Sequence, residues 1–123
     1  MDKKRKKIFV ADDEEDILTI IAMILRTEHF EVQASVNAND LFDLQHPLPD
    51  LILLDIWMSG LDGRDICRKI KEDATTKNIP LIFISANSGI AEITEECKAD
   101  GFIAKPFEME FLLSTVRDVL NGK

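Results

Sequence analysis

Asp12, Asp13, Asp55, Ser85 and Lys105 all stand at the ends of short apolar runs, namely Ile8–Ala11, Leu51–Leu54, Leu81–Ile84 and Phe102–Ala104. Four consecutive aliphatic residues, as at 51–54 between Pro47, Pro49 and Asp50 upstream and Gly60 and Gly63 downstream, read as a strand buried on both faces. Such strands belong in parallel sheets, and the carboxyl ends of parallel strands form the ligand crevice of an open α/β sheet. Three carboxylates, a hydroxyl and an ammonium therefore meet on one edge. Each has an ordinary use taken alone: a strand-terminal Asp caps the following loop or helix, and a strand-end Ser bonds to backbone. Their convergence is what points to chemistry.

Three carboxylates gathered in a crevice repel one another unless one is protonated or a cation joins them. Oxygen donors, little sulfur or imidazole nearby and an open, water-facing edge favour Mg²⁺, which takes one or two carboxylates and keeps several waters. Lys105 does not fit a simple metal cage. An ammonium beside a metal-bound carboxylate suits a site that also receives a dianion, with Lys105 as a point charge on its oxygens and Ser85 as a neutral donor. A metal, a cation, a hydroxyl and a free carboxylate oxygen are what phosphoryl transfer to an Asp nucleophile requires.

The elements that must position these groups alternate in period. Strand one is Ile8–Ala11, and the acidic edge Asp12–Asp16 opens a helix whose stripe is Ile17, Ile20, Ile21, Ile24 and Leu25. Phe30–Ser35 is a second strand, and Asn37 or Asn39 caps a short helix through Leu44. After the Asp55 strand, Asp62-Gly63 opens a helix carrying Ile66, Cys67 and Ile70, and Pro80 introduces a fourth strand, Leu81–Ser85. Ile90, Ile93, Thr94 and Cys97 mark a fourth helix. Gly101 starts a fifth strand through Ala104, and a last helix runs from Phe107 to Leu120 with Leu112, Val116 and Val119 on its stripe. The sum is a (βα)₅ α/β domain with a parallel sheet covered on both faces.

Composition narrows the function classes. At 123 residues the chain fits one domain. A net charge of −8 argues against direct nucleic-acid binding, because phosphate contacts need a basic face. Residues 1–7 form a basic tail carrying the run Lys3-Lys4-Arg5-Lys6-Lys7, but no apolar signal core follows it, and the longest apolar run, Ile20–Leu25, is too short to span a bilayer. The expectation is a cytoplasmic protein with no membrane partner. Cys67 and Cys97 fall on apolar helix stripes and lack metal-ligand spacing, so they are read as buried free thiols.

The acidic pair Asp12-Asp13, Asp55 within Leu-Leu-Asp-Ile-Trp-Met-Ser-Gly-Leu-Asp-Gly, Ser85-Ala86 and Lys105-Pro106-Phe107 together resemble the receiver domain of bacterial two-component response regulators, over essentially the whole chain (1–123). The resemblance implies a flavodoxin-like fold with strand order 2-1-3-4-5. It implies Asp55 as phosphoacceptor, Asp13 as the main Mg²⁺ carboxylate, Asp12 acting through metal-bound water, and the backbone carbonyl of Trp57 as a further ligand. Ser85 and Lys105 would bind the phosphoryl oxygens, Lys105-Pro106 would be a cis peptide, and Phe102 would be the aromatic that turns inward when Ser85 is drawn to the phosphoryl group. Read from its strand alone, Phe102 would be plain core.

The implied role is a signalling switch that assists its own phosphorylation and turns over no external metabolite. Its donor would be a sensor histidine kinase or histidine phosphotransfer protein. The responding surface would be helix four, strand five and helix five, toward an unknown output domain or protein or a second copy of the chain. Two departures from the family pattern stand out: Ser59 where a proline is usual, and Trp57 with Asn87 at the positions that tune loss of the phosphoryl group. An indole offers no acceptor to orient attacking water, so slow autodephosphorylation is expected. A flavodoxin would need a Ser/Thr/Gly-rich loop where this chain has Asp12-Asp13-Glu14-Glu15, and an Asp-nucleophile phosphohydrolase would carry a second carboxylate at Trp57. The remaining alternative is a phosphorylation-independent interaction module. Whether the chain is a whole regulator or part of a longer one is left open by its sequence.

Overall fold

The computed structural model describes residues 5–37, 40, 48–58 and 60–122. Its elements run β1 (Lys7–Ala11), α1 (Glu15–Thr27), β2 (Glu31–Ser35), β3 (Leu51–Asp55), β4 (Trp57–Met58), β5 (Leu61–Asp62), α2 (Gly63–Glu72), β6 (Leu81–Ser85), α3 (Ile90–Cys97), β7 (Gly101–Ala104) and α4 (Met109–Leu120). Five strands form one parallel sheet in the order β2-β1-β3-β6-β7, which is the expected 2-1-3-4-5 once the separate β4–β5 hairpin is set aside.

Alternation along the central strands sorts their side chains into two layers. Phe9, Ile52, Leu54 and Phe83 pack with Ile66, Cys67 and Ile70 of α2 and Ile90 and Cys97 of α3. Ile8, Val10, Leu51, Leu53, Ile82 and Ile84 pack with Leu18, Ile21 and Leu25 of α1 and Leu112, Leu113 and Val116 of α4. All five residues of β3 and of β6 are buried, as two-sided coverage demands. Both cysteines are buried free thiols, and burial pushes Cys67 up to about 12. No helix among the described residues is long and apolar enough to cross a membrane.

The order of strands reverses between β1 and β3, so the crevice opens at the carboxyl ends of those two strands. Asp12 follows the first and Asp55 closes the second.

Four boundaries differ from the sequence reading. The basic tail ends at Lys6: Lys7 is in register with Glu31, and its backbone N–H donates to Asp50 Oδ2 at 2.7 Å. The second strand starts at Glu31 because His29, at φ 69°, and Phe30 finish helix α1, their N–H groups donating to the carbonyls of Arg26 and Leu25. The last helix starts at Met109, since Glu108 has extended backbone and Phe107 packs against the core instead. A two-residue hairpin, β4 with β5, occupies what reads as loop, turning at Gly60 with φ 82°. The short helix expected through Leu44 falls on residues 38, 39 and 41–44, outside the described ones, as do Ser59 and residues 1–4 of the tail.

Gly63 is where this hairpin meets the carboxyl-end edge of the sheet. A Cβ there would lie 2.7 Å from the Asp55 carbonyl oxygen and 2.8 Å from Ile56 Cα, both backbone atoms that cannot swing away. Gly63→Ala is expected to cost about 2–3 kcal/mol, the size of an overpacked core substitution. Urea denaturation would show it as a lower midpoint with an unchanged slope; an unchanged midpoint would mean the hairpin moves freely.

Candidate functional site

Asp12 is fully buried, placed by the end of β1, where its N–H donates to the Ser35 carbonyl. Its Oδ1 accepts the Glu14 N–H at 2.9 Å. Its Oδ2 sits 2.8 Å from Lys105 Nζ as an ion pair but has no hydrogen-bond partner of good geometry. Asp55, 6% exposed, accepts the Trp57 N–H on Oδ1 at 3.4 Å and faces Lys105 Nζ from Oδ2 at 3.4 Å. Carboxylate oxygens of Asp12, Asp13 and Asp55 lie within 4.8 Å of one another, with Asp13 on the exposed side.

Lys105 reaches the cluster from the end of β7, its N–H donating to the Ser85 carbonyl at 2.9 Å and its peptide bond to Pro106 being cis. Its ammonium touches Asp12, Asp55 and also Glu14 Oε1, the last at 3.1 Å. Burial works to lower its pKa, but the Asp12, Glu14 and Asp55 carboxylates outweigh that and hold it above the ordinary lysine value. At Asp55 the balance runs the other way. Burial, then repulsion from Asp12, push it up to about 6 against the opposing pull of Lys105 and the Trp57 N–H.

Ser85 Oγ, nearly buried, accepts the Asn87 N–H at 3.1 Å, which leaves its own hydrogen to donate. The side-chain oxygen of Asn87 accepts the Gly89 N–H at 2.7 Å, so its NH₂ is what it has left for a water. A cavity of about 400 Å³ is lined by Asp13, Asp55, Trp57, Ser85, Asn87 and Lys105, among others. Phe102 is half-exposed rather than core, because β7 is an edge strand and leaves one side of its Phe102 position uncovered.

Glu14 is the site residue that sequence reasoning missed. It reads there as one acid in the first turn of a helix, and nothing in its spacing says that it turns back onto Lys105. The place of Arg64 between Asp62 and the Trp57 ring was missed as well, although Asp62-Gly63 reads as the start of the helix. Asp62 caps α2, and Arg64, bonded to that carboxylate, lies 5.4 Å from the centroid of the Trp57 ring.

Three carboxylates on one ammonium, with Asp13 clustered beside Asp12 and Asp55, all hard oxygen donors, and with a buried Asp12 oxygen poorly satisfied, fit a small divalent cation such as Mg²⁺.

Residues 8–117 match the family model described as the response regulator receiver domain. The chain belongs to that family. This receiver domain is 34% identical over 120 residues to response regulator PleD of Caulobacter vibrioides, covering 95% of the chain but only 26% of PleD. It matches the solved receiver domain of NtrX from Brucella abortus at 31% identity and a TM-score of 0.83, covering 94% of this chain and 99% of that one. A receiver domain from a Pseudomonas aeruginosa sensor histidine kinase, 23% identical with a TM-score of 0.84 over 98% of this chain and 100% of that one, shares the fold; its structure holds a magnesium ion in the active-site cleft. The chain thus spans about a quarter of PleD, and it is a two-component receiver domain with a flavodoxin-like fold.

Proposed function

We propose that this receiver domain accepts a phosphoryl group onto Asp55 from a phosphohistidine on a sensor kinase or phosphotransfer protein, in a Mg²⁺-dependent reaction, and signals through the surface that responds. The observation that carries this reading is a nearly buried Asp55 that shares one ammonium, Lys105, with two other carboxylates at the open end of the sheet. An Asp55 carboxylate oxygen forms the new bond to phosphorus, and the donor imidazole leaves with the electron pair of the P–N bond. Asp55 must be ionised to do so, and with a pKa near 6 most of it is at neutral pH even without metal.

Asp12, Asp13, Asp55 and the Trp57 carbonyl are the groups that would hold Mg²⁺, which when bound offsets charge on the transferred group. The magnesium in the Pseudomonas receiver supports that assignment. Lys105 supplies a point charge to the phosphoryl oxygens, and for this it must loosen its hold on Glu14 and Asp12. Ser85 donates its free hydroxyl hydrogen to another oxygen. Because Ser85 Oγ also holds the Asn87 N–H, moving Ser85 pulls on the loop that opens α3. Phe102, half-exposed on the adjoining strand, would follow. This is a population shift biased by local charge, with α3, β7 and α4 as the surface read by an output partner or a second copy.

Intact mass after incubation with acetyl phosphate tests the reading without a known kinase. One added phosphoryl group is expected with Mg²⁺ and none with EDTA. A folded protein that binds Mg²⁺ yet gains nothing from acetyl phosphate or from a panel of phosphorylated kinases would instead be a phosphorylation-independent interaction module.

A further inference from the structure

Trp57 is the one tryptophan of the chain, and it stands at the mouth of the cavity that holds Asp55. Half of its surface is exposed, so the core does not fix its ring. What meets the ring is Arg64, 5.4 Å from its centroid, a distance at which a guanidinium is attracted to the π face. Arg64 is itself immobilised. Its Nε donates to both carboxylate oxygens of Asp62 at 3.0 Å and its terminal nitrogen to Oδ2 at 2.7 Å, while Asp62 Oδ1 also accepts the Arg64 backbone N–H at 2.9 Å.

The same hairpin ties this pair to the site. Trp57 is in register with Asp62, and the Gly63 N–H donates to the Ile56 carbonyl, next to Asp55. Ring, guanidinium and carboxylate therefore hold station relative to the acceptor.

We propose that Arg64, anchored by Asp62, is a positioning residue that keeps the Trp57 indole at the mouth of the crevice and so prolongs the life of a phosphoryl group on Asp55. The inference rests on the phosphoacceptor reading. Loss of that group needs a water oxygen to bond to phosphorus as the P–O bond to Asp55 breaks. The bond pair stays on the Asp55 carboxylate, and the water proton passes to the departing phosphate or to solvent. An indole has no acceptor to draw that proton, and the Asn87 side-chain oxygen is committed to Gly89. A held indole adds bulk without adding chemistry.

Arg64→Gln removes the guanidinium but keeps the backbone cap to Asp62, so the fold is retained. The labelled protein, freed of acetyl phosphate with Mg²⁺ present, is expected to lose its phosphoryl group about fivefold faster than wild type, the order that loss of a cation–π contact supports. Trp57→Asn also speeds decay, and adding Arg64→Gln to it changes nothing further, because Arg64 acts only through the ring. Without any phosphorylation, acrylamide quenching of Trp57 fluorescence rises in Arg64→Gln and returns part-way in Arg64→Lys.

Wild-type decay in Arg64→Gln, effects of the two substitutions that multiply, or unchanged quenching would each overturn the proposal. A wild-type protein that takes no phosphoryl group from any donor overturns the acceptor reading and the lifetime argument together, while the quenching still reports separately whether Arg64 holds the ring.

Discussion

Asp55→Asn is expected to take up no phosphoryl group and, free of metal at pH 8, to melt higher than the wild type. The first outcome follows from replacing the carboxylate that faces Lys105 in the cavity shared with Ser85 by a carboxamide, which has no anionic oxygen to attack phosphorus. The second follows from the displaced pKa. Asp55 titrates near 6 in the folded chain against 3.8 as its ordinary value. An acid that holds its proton more tightly when folded makes the folded state less stable as pH rises through the interval between the two values, here from about pH 4 to 6, and the penalty is complete above it. The full shift converts to about 3 kcal/mol at most. Access of solvent through the cavity reduces this, and about 1 kcal/mol is the fair expectation, or roughly 3–6 °C in melting temperature for a domain of this size.

Two controls separate charge from accident. The gain of Asp55→Asn vanishes below about pH 3, where the wild-type carboxyl is protonated in both states. It also narrows as Mg²⁺ is added, because the intact carboxylate cluster binds the ion and the substituted one binds it less well. Equal melting at pH 8 without metal would mean that Asp55 carries no strain.

The strands that deliver the site were legible because two-sided burial leaves few options. A run such as Leu51–Leu54 cannot face water on either side, and the polar residue that ends it has to mark the edge of the sheet. Cys67 and Cys97 were readable as core for the same reason, since each sits in phase with its helix's apolar neighbours.

What escaped reading is decided by contacts remote in sequence. Two-residue strands such as Trp57–Met58 have no period to detect, so the β4–β5 hairpin was invisible. Phe102 has the composition of a core residue, and only its place on an edge strand leaves it half-exposed. Glu14 lies 91 residues from Lys105 along the chain, and no local pattern says which of five consecutive acids will turn toward it.

Lys105→Met is the substitution expected to cost most. In the wild type, the fully buried Asp12 has Lys105 as its counterion at 2.8 Å, with Asp55 and Glu14 sharing the same ammonium. Removing one partner of a buried pair leaves the other charge uncompensated, so the metal-free protein should lose about 3 kcal/mol in urea denaturation at pH 8. That loss should shrink in acid as the carboxylates take up protons, and shrink again with Mg²⁺, which can replace the missing positive charge. Mg²⁺ should therefore bind more tightly to Lys105→Met than to wild type, because ion and ammonium compete for the same oxygens. Phosphoryl uptake should move in the opposite sense. With the fold restored by saturating Mg²⁺, transfer from acetyl phosphate is expected to slow about 100-fold, the usual cost of deleting one preorganised charge at a developing oxyanion. Tighter Mg²⁺ binding with unchanged uptake would assign Lys105 to balancing the resting carboxylates alone. Tighter binding with slow uptake would give it both tasks, counterion before transfer and phosphoryl ligand after it.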